Sequence, residues 1–200
     1  MGKFKLQAGD ILININRGND PWSRIRRWAV GECSHVFMYM GKLTIERPGE
    51  ASTYGETWCY PVPMLFESNG RGVVLQSLSN RYEQQVAVMR LKSEHDRKRI
   101  PAVLAEAIKL ASEPQAFYDY FCIITFVLLR IICEKLCLPI PLKWQRDDRQ
   151  ICSEAVFEIY YRAKLVDILP RDIAPLPGDF RDSLLLEEVW QGELSEERVS

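Results

Sequence analysis

Between residues 8 and 91 the chain is a series of short apolar runs, each closed by a turn signal, and helical periodicity begins only after residue 100. That order constrains the fold more than any other feature. Ile11-Leu12-Ile13-Asn14-Ile15 follows an Ala8-Gly9-Asp10 turn, and Val36-Phe37-Met38-Tyr39-Met40 reads as a buried strand closed by Gly41. Met64-Leu65-Phe66-Glu67 and Gly72-Val73-Val74-Leu75 flank Ser68-Asn69-Gly70-Arg71 as a hairpin, and Val86 to Leu91 makes a further strand. Ile100, Val103, Leu104, Ala107, Ile108 and Ala111 then recur at three- and four-residue steps, the mark of an amphipathic helix. A second long helix is expected over residues 118–137, broken by Leu138-Pro139-Ile140-Pro141, and a late one from Ile151 to Lys164. Asp20 and Pro21 can open a short helix with Trp22, Ile25, Trp28 and Ala29 on one face. Strands first and helices after, with no internal repeat, predict an α+β fold. The Gly/Pro-rich stretch 47–63 reads as a long loop. One domain is expected over residues 1–186, with an acidic, mobile tail at 187–200.

Composition narrows the functional classes. Apolar residues at 47%, charged residues at 26% and a net charge of -1 describe an ordinary globular chain. No basic stripe interleaved with aromatics points to nucleic acid, and the clusters Arg24-Arg26-Arg27 and Arg97-Lys98-Arg99 read as solvated helix faces. The N-terminus MGKFKLQAGD has no apolar signal core, and Leu6 stands where a myristoylation signal has Ser or Thr. Tyr120 to Leu129 is too short to span a bilayer. A cytoplasmic chain with its six cysteines reduced is therefore expected.

Two short stretches carry candidate chemistry. In QICSEAVFEIYY, Cys152 stands at the expected start of the late helix, where unpaired N–H groups and the positive dipole end favour a thiolate and can hold an oxyanion. In GECSHVFMYMG, His35 opens the buried strand. It is one of two histidines; the other, His95, lies in the charged run SEHDRKR and is expected at the surface. Glu67 ends an apolar strand and could orient an imidazole. Spacing leaves plainer readings open: His35 as a satisfied core residue, Cys152 as an inert buried thiol, Glu67 as a surface carboxylate. Cys133 and Cys137 share a helical face, but no histidine or second pair completes a zinc site. Alternation would put Cys33 on the same side of the strand as His35, a weak metal signal that is discounted.

Five blocks occur in order: GDILI, SRIRRWAVGECSHVFMYMG, FESNGRGVVLQSL, FYDYF and ICSEAVFEIYY. Together they resemble the YiiX/YaeF-like permuted papain-like amidases, circularly permuted relatives of NlpC-type cell-wall peptidases and cousins of the lecithin:retinol acyltransferase group. The resemblance spans residues 8–165. It implies a small antiparallel β-barrel or sheet packed against helices, with the nucleophile at a helix start. It further implies Cys152 as nucleophile, His35 as general base and later acid, Glu67 as the group orienting the imidazole, and Tyr118 lining the substrate site, with Asp119 structural. The segment 119–152 is longer than this family pattern, and the 47–63 excursion has no counterpart in it, so substrate class does not transfer.

The expectation is a cysteine hydrolase, an amidase or thiol peptidase, acting through a thioester on a small-molecule, peptide or acyl-amide substrate. No metal or organic cofactor and no nucleic acid enters this reading. Two rivals remain: a lipid acyltransferase or phospholipase, for which the apolar run 120–137 and a membrane contact would speak, and a binding module that keeps the fold without turnover.

Overall fold

The apolar runs are realised as one six-stranded antiparallel sheet in a computed structural model of the chain. The structure describes residues 4–15, 32–48, 57–69, 72–113, 132–133, 152–165, 167–170 and 175–198, with residues 45–48 and 57–60 described by their backbone. The strands are β1 (Ile11–Ile15), β2 (Cys33–Pro48), β3 (Thr57–Asn69), β4 (Gly72–Ser77), β5 (Gln85–Leu91) and β6 (Leu186–Glu193). Their order across the sheet is β4-β3-β2-β1-β5-β6. The described helices are α1 (Glu94–Arg97), α2 (Ile100–Ser112) and α3 (Cys152–Arg162), with a 3₁₀ turn at Leu78–Arg81. The α+β expectation is met.

Both faces of the sheet are covered, which is why the β2 run is apolar at consecutive positions rather than alternate ones. Ile11, Ile13, Val36, Met38, Phe66, Ala87 and Met89 face α2 and α3, where Val103, Ala107, Val156, Ile159 and Tyr160 close the main core. Leu12, Phe37, Tyr39, Leu65, Val86 and Val88 form a second core on the other face with Leu6, Leu78 and Leu194. The two layers are tied at one end of β1. Gly9 sits at φ +85°, a left-handed conformation that favours glycine. Its N–H donates to the Tyr39 carbonyl at 2.8 Å, and its carbonyl accepts the buried Tyr160 hydroxyl at 2.5 Å.

Three expectations are corrected. The sheet does not close into a barrel: β4 and β6 are its outer strands and do not pair with each other. An apolar run says that a strand is buried, not which edges meet. Residues 47–63 are not a loop throughout, because β2 and β3 stay paired out to Pro48↔Thr57. Pro61 and Pro63 disguised this strand; β3 pairs with β4 only as far as Met64↔Ser77, and beyond that no strand among the described residues pairs with this edge, where proline is tolerated. Residues 187–193 are not a mobile tail, since they pair with β5 from Leu91↔Leu186 to Gln85↔Glu193. The exposed Glu187 and Glu188 are charges on an edge strand, where they discourage further pairing, while Trp190 stacks on Phe4 at 5.3 Å. The short helix after Asp20 and all of residues 118–137 except Ile132 and Cys133 lie outside the described residues.

Tyr160→Phe removes the hydroxyl that donates to the Gly9 carbonyl without emptying core volume. The expected loss is about 1–3 kcal/mol of unfolding free energy, read as a lower denaturation midpoint with unchanged cooperativity.

Candidate active site

The ends of β2, β3 and α3 meet at one edge of the sheet. His35 enters through an irregularity: Asn14 pairs with His35 and Ile15 with Cys33, so Ser34 is an extra residue in β2. The bulge breaks the alternation. Cys33 packs in the helix-side core, whereas the His35 ring lies 5.9 Å from that of Phe37, a residue of the opposite core. The expected common side for Cys33 and His35 is therefore corrected. Cys33 instead makes a hydrogen bond with Arg181, and burial raises its thiol above the ordinary value.

Cys152 is the first described residue of α3, buried at 6% exposure, on a helix that packs against β2 and β3. The next residue anchors the helix start: Ser153 Oγ donates to the Pro175 carbonyl at 2.5 Å from a buried position. Glu67 is fully buried at 0% exposure on the β3 segment that pairs with β4, Glu67 opposite Val74. His35 Nε2 lies 3.1 Å from Glu67 Oε2, and the same ring is hydrogen-bonded with Cys152. The structure thus brings Cys152, His35 and Glu67 into one connected row. His95 is exposed on α1 and outside it. Tyr118 and Asp119 lie outside the described residues.

A carboxylate without solvent must be paired and hydrogen-bonded, and Glu67 is both. Oε1 accepts from Asn69 Nδ2 at 2.8 Å and Gln76 Nε2 at 2.5 Å. Arg81 donates from Nε to Oε2 at 3.0 Å and from its NH2 nitrogen to Oε1 at 2.8 Å and Oε2 at 2.7 Å. Sequence reasoning missed all three partners. Asn69, two residues on, and Gln76, on the facing strand, share the Glu67 face of the hairpin by alternation and were open to inference. Arg81 had no such signal, because the 3₁₀ turn that returns it to Glu67 is a tertiary event.

The charges follow from these contacts. Burial pushes the His35 imidazolium toward losing its proton, but hydrogen bonds with Cys152 and Glu67 and their charges outweigh it, and the pKa rises from 6.5 to about 9. Burial likewise opposes ionisation of Glu67, yet hydrogen bonds from His35 and Asn69 and the charges of His35 and Arg81 lower it from 4.5 to about 2. At neutral pH the site holds an imidazolium between a sulfur and a carboxylate. That arrangement can stabilise a thiolate, deliver a proton to a leaving group and take one from water.

No family model matches the sequence, and no curated protein matches it. Among solved structures the chain is similar to that of the metalloprotein YiiX from Escherichia coli O157:H7. The TM-score is 0.53 with 18% identity, over 96% of this chain and 100% of that one. The chain therefore has the YiiX fold, in line with the five-block resemblance in its sequence. Among the described residues no helix is long and apolar enough to cross a membrane.

The two shifts set a pH window for stability. Glu67, depressed on folding, contributes stability above pH 4.5 that is lost as pH falls toward 2; His35, raised on folding, contributes stability below pH 6.5 that is lost as pH rises toward 9. Both shifts share one ion pair, so stability from this site is greatest between roughly pH 4.5 and 6.5. Chemical denaturation across pH should show Glu67→Gln flattening the alkaline decline between 6.5 and 9 relative to the parent. An unchanged decline would separate it from the His35–Glu67 pair.

Proposed function

We propose that the protein is a cysteine hydrolase acting on an amide bond, with Cys152 as nucleophile, His35 as general base and acid, and Glu67 as the residue positioning the imidazole. The observation that carries this reading is the single imidazole held between the first residue of α3 and a fully buried carboxylate. Structural histidines in cores need no such row, and a buried carboxylate is costly unless its charge serves a partner.

Glu67 engages Nε2, so Nδ1 is the nitrogen left to serve the sulfur. The thiolate attacks the substrate carbonyl carbon, and the oxyanion is met by backbone N–H groups at the start of α3. His35 passes its proton to the leaving amine, the C–N bond breaks, and a thioester to Cys152 remains. The now neutral imidazole takes a proton from water, whose oxygen attacks the thioester carbonyl. The acid leaves, and Cys152 and His35 return to the thiolate and imidazolium forms.

YiiX is a metalloprotein, which raises a metal role for this chain. The residues do not fit one: no group of three or more His, Cys, Asp or Glu side chains converges on an ion position among the described residues. Both Glu67 oxygens are already engaged, with Arg81 on each of them. No step is derived through a metal.

Incubation with a panel of acyl amides, esters and cell-wall peptides, followed by intact mass, should trap an acyl adduct on Cys152 with at least one amide. Cys152→Ala should abolish the adduct, His35→Ala should slow its formation by ~100-fold or more, and Glu67→Gln should leave partial activity. Adducts only with esters bearing acyl chains, together with transfer to a lipid acceptor, would move the assignment to an acyltransferase.

A separate check needs no substrate. Limiting iodoacetamide near neutral pH should alkylate Cys152 ahead of the other five thiols. First labelling of Cys33 or Cys59 would sink the nucleophile assignment.

A further inference from the structure

Glu67 has two cationic partners, and only one of them belongs to the reaction proposed above. The other, Arg81, ends the 3₁₀ turn Leu78–Arg81, which is pinned by the fully buried Leu78 and by Ser79 N–H donating to Ser77 Oγ at 3.3 Å. Its guanidinium carbon stands 5.7 Å from the centre of the Phe37 ring, and that ring is in turn 5.9 Å from His35. Arg81 is 22% exposed while the carboxylate it holds is 0% exposed, so the guanidinium stands between the carboxylate and solvent.

We propose that Arg81 is a positioning residue of this site: it keeps Glu67 ionised and aimed at His35 in both protonation states of the imidazole. The proposal rests on the Cys–His–Glu reading for its purpose, though not for its measurement. While His35 is charged, Glu67 lies between two cations. When His35 gives its proton away, a buried carboxylate with no other cation would hold that proton back, because an unpaired buried charge is costly. A guanidinium stays charged throughout and offers a two-pronged grip that an ammonium lacks. Arg81 thus loosens the hold of Glu67 on the imidazolium proton without releasing the orientation of Oε2. Asn69 and Gln76, both on Oε1, keep the carboxylate in place but supply no charge.

The charged or titratable groups facing His35 among the described residues are Cys152 from α3 and Glu67 from β3, with Arg81 behind Glu67. Asn14 from β1 and Phe37 from β2 are neutral neighbours.

The chain has two histidines, so His95→Gln leaves His35 as the single imidazole signal in a histidine-selective NMR titration. In that background Arg81→Gln should raise the His35 midpoint by roughly half to one pH unit. Arg81→Lys, which restores the charge, should return it close to the parent value. In the Glu67→Gln background, where no buried charge is left uncompensated, Arg81→Gln should change the midpoint little. If the single Arg81→Gln variant fails to fold, the Arg81→Lys midpoint and the effect of Arg81→Gln within the Glu67→Gln background remain readable, and a large shift in either overturns the proposal. A midpoint that stays put or falls in Arg81→Gln overturns the proposal, as does a lysine variant that behaves like the glutamine one. An equal shift with and without Glu67 also overturns it, since Arg81 would then act on His35 directly. The titration reads no turnover, so its failure leaves the hydrolase reading standing, and absence of an acyl adduct leaves the titration result standing.

Discussion

The site is organised around one buried negative charge. A carboxylate at 0% exposure is stable only if the chain surrounds it with donors and cations, and Glu67 is met by Asn69, Gln76, Arg81 and His35. Those four residues come from β3, β4, the following 3₁₀ turn and the start of β2. Satisfying one carboxylate therefore couples four backbone segments and aims an imidazole at the start of a helix. Losing both cationic partners would leave a buried charge without compensation, at a cost of about 3–5 kcal/mol for such breaks.

The sheet makes this geometry possible by being covered on both faces. Helices α2 and α3 close one side, while Leu6, Leu78, Leu194 and Trp190 close the other. Cys152 lies in the helix-side core, whereas the His35 ring neighbours Phe37 of the opposite core. They meet at the start of β2, where the extra residue Ser34 turns Cys33 to the helix side while His35 keeps the side of Phe37. A regular β2 would have left Cys33 and His35 on one side, as simple alternation suggests.

The YiiX fold and the row of Cys152, His35 and Glu67 are separate findings, and they support different statements. At 18% identity the structural likeness speaks for architecture. The chemistry rests on the local arrangement: an imidazolium held near pKa 9 by a sulfur and a carboxylate. In physical terms that is a proton store beside a thiol, which is what the proposed reaction uses.

Much of the architecture was legible in the residues themselves. Short apolar runs bounded by turn signals marked β1, the start of β2, the hairpin and β5, and three- and four-residue steps marked α2, because burial and side-chain periodicity are local consequences of backbone geometry. Cys152, His35 and Glu67 stood out as residue types placed at the ends of such elements. What local pattern could not convey was pairing and closure. The open sheet, the continuation of β2 and β3 past their prolines, and the return of Leu186–Glu193 as an edge strand all depend on which distant backbone supplies the partner N–H and C=O groups. Arg81 belongs with these. Nothing within the run SLSNR marks its last residue, and only the folded chain sets a guanidinium against a carboxylate fourteen residues earlier, where burial makes the pairing obligatory.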